Sequence, residues 1–138
     1  MQGRFVLEDR VSIAIVGARM ASAYGRGVAR ELAAELVARP ISVVSGMARG
    51  IDAEAHQATL EAGGRTIAVL GSGLDVVYPR EHIALAEHIA ANGAVVSEFG
   101  LGSRPEAGNF SSSGLQLNKA LSANTKVYAS IYNGSFSS

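Results

Sequence analysis

Four short apolar runs, each separated from the next by a helix-sized stretch, constrain this chain more than anything else in it. They are Val11–Val16, Ile41–Ser45, Thr66–Leu70 and Ala94–Ser97, and the first three stop at Gly17, Gly46 and Gly71. A β-branched run that is apolar throughout and ends on glycine reads as a buried strand. Between the runs the pattern becomes helical. Val28, Leu32 and Leu36 recur every four residues with Ala29 and Ala33 beside them, Ser22 is placed to cap that helix, and Pro40 closes it. A second helix is expected over about Ile51 to Ala62, closed by Gly63-Gly64. Pro79 suits the first turn of a third, which Asn92-Gly93 terminates.

Strands that alternate with helices and are apolar on both faces imply a mostly parallel sheet with helices on both faces. The expected fold class is therefore α/β, Rossmann-like and doubly wound. A loop rich in Gly, Ser and Pro from Gly100 to about Ser113, a short helix over Leu115–Leu121 and a fifth strand over Lys126–Tyr132 would complete it. With 138 residues, 48% of them hydrophobic, the chain reads as a single domain, residues 1–138.

Composition excludes several chemistries. The absence of cysteine rules out a disulfide framework and thiolate chemistry, and three scattered histidines argue against a zinc site, so neither metal nor cofactor is expected. No apolar run approaches the roughly 18 residues that cross a bilayer, and the N-terminus lacks a signal-peptide layout; a cytoplasmic protein with no membrane partner is expected. Twelve basic and twelve acidic side chains cancel, so nucleic acid would have to be met by a local basic patch. The charges are unevenly placed: all ten arginines precede Ala107, both lysines follow it, and no acidic residue follows Glu106.

In a sheet of this kind ligands bind outside the carboxyl ends of the strands. Those ends carry Gly17-Ala18-Arg19, then Ser45-Gly46-Met47-Ala48-Arg49-Gly50-Ile51-Asp52, then Gly71-Ser72-Gly73, then Ser97-Glu98-Phe99. Gly46 and Gly50 allow a tight turn before a helix, whose N-terminus attracts anions, and Arg19 and Arg49 lie on the same rim. Together they read as a phosphate-binding crevice. The dinucleotide fingerprint G-x-G-x-x-G and the P-loop signature are both absent. Asp52 and His56 stand one helical turn apart, which suits either an acid/base pair or a carboxylate at a helix N-terminus with a histidine bonded to it. His82 and His88 read as a solvated helix face, and Tyr78 as a packing residue beside Pro79. Glu98 would anchor a loop or bind a base or ribose hydroxyl. Phe110 would stack on a nucleobase or pin its loop to the body.

These motifs together resemble the DNA-processing protein A (DprA/Smf) family. The resemblance rests on Ile15-Val16-Gly17-Ala18-Arg19 with Tyr24-Gly25, Val44 to Asp52 with Ala55-His56, and Ala62-Gly63-Gly64. It continues with Thr66 to Asp75, Tyr78-Pro79-Arg80-Glu81, Ser97-Glu98-Phe99 and Gly108-Asn109-Phe110, covering about residues 11 to 110 in unbroken order. The resemblance implies a non-enzymatic protein that binds single-stranded DNA in DNA processing, natural transformation (competence) and recombination. It implies loading of the RecA recombinase, and homodimers. By position, Gly17, Arg19, the Ser45–Gly50 turn (Ser45, Gly46, Met47, Ala48, Arg49, Gly50), Asn109 and Phe110 would meet DNA, with Arg19 on phosphate and Phe110 on a base. Asp52 and Glu98 are candidate ligand contacts or loop anchors. An alternative within the wider superfamily is a nucleotide or nucleotide-derived ligand, with an enzyme among the forms that reading takes. After Phe110 the motif match ends: Phe110-Ser111-Ser112-Ser113 stands where the family carries an arginine cluster.

Overall fold

The chain threads one seven-stranded sheet in the order β1-β5-β4-β3-β2-β6-β7. This is a computed structural model, and it describes residues 1–6, 9, 11–102, 104, 128–132 and 135–137. In chain order the elements are β1 (Gln2–Gly3), β2 (Ser12–Gly17), α1 (Ala23–Ala38), β3 (Ser42–Ser45), α2 (Ile51–Glu61), β4 (Thr66–Leu70), α3 (Ile83–Asn92), β5 (Ala94–Ser97), β6 (Tyr128–Tyr132) and β7 (Ser135–Ser137). The β5-β4-β3-β2-β6 body pairs parallel throughout, and β1 and β7 add antiparallel edges. The mostly parallel, Rossmann-like α/β sheet expected from the sequence is the one observed; helices were expected on both faces, and the three described ones pack on the same side.

Strand pleat sorts the apolar runs into two faces. Ile15, Val43, Ala68, Leu70 and Val95 point to the side on which α1, α2 and α3 pack, and they form two adjoining clusters with Ala29, Ala33 and Leu36 of α1, Ile51 and Ala55 of α2, and Leu85 and Ile89 of α3. The alternate residues Ala14, Val44, Ile67, Val69 and Ala94 are buried together on the opposite face. Successive crossovers of one hand, each stepping one strand in the same direction from β2 to β5, place their helices on one side. β6 then pairs with the opposite edge of β2, so the winding reverses between β2 and β6. That reversal is the topological switch point, where α/β sheets leave a crevice.

Local chemistry sets the helix limits. Ser22 caps α1 by accepting from the Gly25 N–H at 3.1 Å. Arg30 of α1 pairs with Glu54 at 3.0 Å and with Glu61, clamping α1 to α2. The third helix begins later than the sequence suggests. Pro79 precedes a 3-10 turn over Arg80–His82, and α3 starts at Ile83. The predicted helix at Leu115–Leu121 and most of the Gly100–Ser113 loop lie outside the described residues. Among the described residues no helix is long and apolar enough to cross a membrane, and no His, Cys, Asp and Glu group could hold a metal.

Candidate functional site

The ends of β2 and β3 are tied together by one carboxylate. Asp52 sits in the first turn of α2 and is almost wholly buried. Its Oδ1 accepts the Gly17 N–H at 3.3 Å, and its Oδ2 accepts the Gly46 N–H at 3.1 Å and the Ala48 N–H at 3.4 Å. Burial pushes this carboxyl up to about 7, against the lowering pull of those backbone N–H groups and the Ser45 hydroxyl. Ser45 adds a second tie by donating its hydroxyl to the Ile15 carbonyl at 2.5 Å. A third comes from Gly50, whose φ of +79° lets its backbone lie against the Ala18 and Arg19 carbonyls while the Ile51 N–H donates to Ala18 O at 3.2 Å. Asp52 is thus a loop anchor. The sequence-expected pair of Asp52 with His56 is not formed, because each side chain is engaged elsewhere.

His56 is fully buried, with Nδ1 2.6 Å from the Thr66 hydroxyl. Its Nε2 has no hydrogen-bond partner among the described residues. Desolvation, reinforced by the neighbouring His82, holds the ring down to about 3. His82 is not on a solvated face. It is buried, and its Nδ1 lies 2.8 Å from the Met47 carbonyl, which pins the centre of the β3–α2 turn. Met47 itself is buried at φ +66°, a left-handed conformation that costs about 1–3 kcal/mol in a non-glycine residue and persists only when its surroundings hold it.

The two buried titrating groups of α2 predict opposite pH dependence. His56, lowered from 6.5, binds a proton more readily unfolded, so its contribution is present above pH 6.5 and is lost as pH falls towards 3. Asp52, raised from 3.8, binds a proton more readily folded, so its contribution is present below pH 3.8 and is lost as pH rises towards 7. Between those limits the two slopes oppose each other. Urea unfolding at several pH values from about 4.5 to 6.5 is therefore expected to show Asp52→Asn gaining stability with pH relative to the unmodified chain, and His56→Gln losing it, each by up to roughly 1.4 kcal/mol per pH unit. Parallel pH profiles for the two variants would contradict the burial assigned to both groups.

Around this framework lies an exposed rim. Arg19 is exposed at the end of β2, beside the switch point, with Met20 90% exposed next to it and Tyr24 on the first turn of α1 also exposed. Arg49 reaches along the rim, pairing with Glu81 at 2.7 Å and standing 5.7 Å from the centre of the Tyr78 ring. Tyr78 is not packed away beside Pro79; it remains 40% exposed. Glu98 is exposed. The loop it begins is held by its neighbours, with Ser97 Oγ donating to Ser72 O at 2.5 Å and accepting the Phe99 N–H at 3.0 Å. Asn109 and Phe110 lie outside the described residues.

A family model described as DNA recombination-mediator protein A matches residues 1–134, past Phe110 and through β6. Protein Smf of Synechocystis is 48% identical over 98 residues, 71% of this chain and 25% of its own length. DNA processing protein DprA of Bacillus subtilis is 40% identical over 98 residues, 71% of this chain and 33% of its own. The chain thus spans a quarter to a third of the length of these relatives. Among solved structures, DNA processing protein A of Streptococcus pneumoniae superposes with a TM-score of 0.75 at 36% identity, covering 84% of this chain and 41% of that one. The protein of the same name from Helicobacter pylori, whose structure concerns its single-stranded DNA binding mode, superposes at 0.76 with 30% identity, covering 92% of this chain and 56% of that one.

Proposed function

Because the chain belongs to the DNA recombination-mediator protein A family, we propose that it binds single-stranded DNA along the strand-end rim, in DNA processing and without catalysing a reaction. The observation that carries this reading is Arg19, an exposed cation at the switch point on a loop that Asp52 and Gly50 hold from beneath. A phosphate met there needs no rearrangement of the loop, so little ordering entropy opposes the contact. The Gly46 and Ala48 N–H groups already donate to Asp52, so these residues shape the turn, and Arg49 and Gly50 form its outer side. The likeness to the Helicobacter pylori protein supports the same ligand. Asn109 and Phe110 enter through the resemblance alone, Phe110 as the ring on which a base stacks. Loading of RecA, self-association into homodimers and a role in natural transformation come with the family and are part of the proposal.

Arg19→Ala is expected to weaken binding of a labelled oligothymidine by several-fold in fluorescence anisotropy at low salt, and to reduce the slope of log affinity against log salt by about 0.7. An unchanged slope would remove Arg19 from the phosphate path.

A further inference from the structure

The rim does not end at Arg49. Beyond it, the segments after β4 and β5 border a half-open cleft of about 860 Å³, lined by Val76, Val77 and Ile83, by Tyr78, Arg80 and Arg104, and by the acidic Asp75. This is within the size of small-molecule sites, roughly 300–1,000 Å³. One wall is fixed by Asp75, whose Oδ1 accepts the Gly102 N–H at 2.7 Å and so joins the two loops. Val76, Val77 and Ile83 give the lining aliphatic surface, Tyr78 adds a ring, and the two arginines bring positive charge. Both arginines are exposed, and among the described residues neither takes part in an ion pair. An apolar occupant would desolvate two guanidinium groups against the single carboxylate of Asp75, leaving one positive charge unbalanced, which is costly. A nucleotide brings a flat ring that can stack on Tyr78, which also meets Arg49, and an anion for the arginines.

We propose that this cleft is a second nucleotide site, taking a base against Tyr78 and its phosphate at Arg80 and Arg104, on a strand laid along the rim from Arg19. The strand part of this inference rests on the single-stranded DNA reading above; the cleft's preference for a nucleotide does not. Continuity is built into the fold. Gly50 joins the β2 and β3 loops, Arg49 over Tyr78 joins the β3 and β4 loops, and Asp75 joins the β4 and β5 loops. Three strand spacings separate the two ends of this path, about 14 Å.

The test uses the 138-residue chain, an oligothymidine of about 12 units and thymidine 5′-monophosphate. Tyr78→Ala is expected to bind the oligomer about tenfold more weakly, and Tyr78→Phe within twofold of the unmodified chain, since the stacking face is retained. Arg80→Ala and Arg104→Ala each reduce the salt slope by about 0.7. In the monophosphate titration, methyl resonances of Val76, Val77 and Ile83 shift and saturate. If the oligomer ignores all four substitutions and the methyls do not move, the proposal is overturned, while an effect of Arg19→Ala would leave the first reading standing. Saturating methyl shifts with an oligomer indifferent to Tyr78 would uphold a free-nucleotide site and overturn the continuous strand. If the unmodified chain binds no oligomer, the first reading falls and the monophosphate titration alone decides the cleft.

Discussion

Asp52→Ala is expected to lower stability by about 3 kcal/mol at neutral pH, a fall in Tm of roughly 10 °C for a domain of this size. The substitution strands the Gly17, Gly46 and Ala48 N–H groups, which belong to two loops and have Asp52 as their shared acceptor. A fully buried donor left without a partner costs about 1–3 kcal/mol, and these three, being part-buried, fall towards the lower end. Relief from burying a carboxylate, itself pushed up to about 7 by desolvation, offsets part of that sum. The expected signature is local as well as global: amide exchange at Gly17, Gly46 and Ala48 accelerates more than exchange in the centre of β4. A Tm within 2 °C of the unmodified chain would mean that the carboxylate does not hold these loops.

Gly50→Ala is expected to be at least as damaging, for a different reason. A Cβ built there falls 2.3 Å from Ala18 O and 2.5 Å from Arg19 O, and both are backbone atoms that no rotamer change can move. The φ of +79° adds the left-handed penalty of about 1–2 kcal/mol for a residue with a side chain. The Ala18–Arg19 segment must therefore shift, so DNA affinity is expected to fall about tenfold or more alongside stability. Gly27→Ala is the matched control. Gly27 lies inside α1 with nothing within 4 Å of its built Cβ, and alanine there is expected to stabilise by about 0.5–1 kcal/mol. Thermal melts and anisotropy on the two variants separate the steric effect from glycine's general cost. Equal behaviour would contradict the close approach at Gly50.

The parts of this fold that were legible are those written in consecutive residues. Thr66–Leu70 and Ala94–Ser97 are strands over the expected residues, and α2 begins at Ile51, because a β-branched run or a glycine turn carries its own limits. The short edges β1 and β7 were not legible: Gln-Gly and Ser-Phe-Ser have no periodicity, and they become strands only by pairing with β5 and β6. The site divides in the same way. Arg19 and the Ser45–Gly50 turn stand at strand ends, where the motif spacing puts them. The role of Asp52 depends on a bond to Gly17, 35 residues away, while its i,i+4 relation to His56 drew attention to a pair that does not form. The burial of His82 is illegible for the same reason, since its partner Met47 lies 35 residues before it. Tyr78 stays 40% exposed with its ring beside Arg49, a neighbour distant in the chain that the adjacent Pro79 does not announce.

The zero formal charge of the whole chain makes the central claim a claim about one rim. It is tested most directly by titrating the unmodified chain with labelled oligothymidine between about 50 and 200 mM salt. Binding that weakens linearly in log–log form, with a slope near −2 to −3 from the rim arginines, is the predicted result. No binding at about 50 mM salt, or binding indifferent to salt, would contradict it.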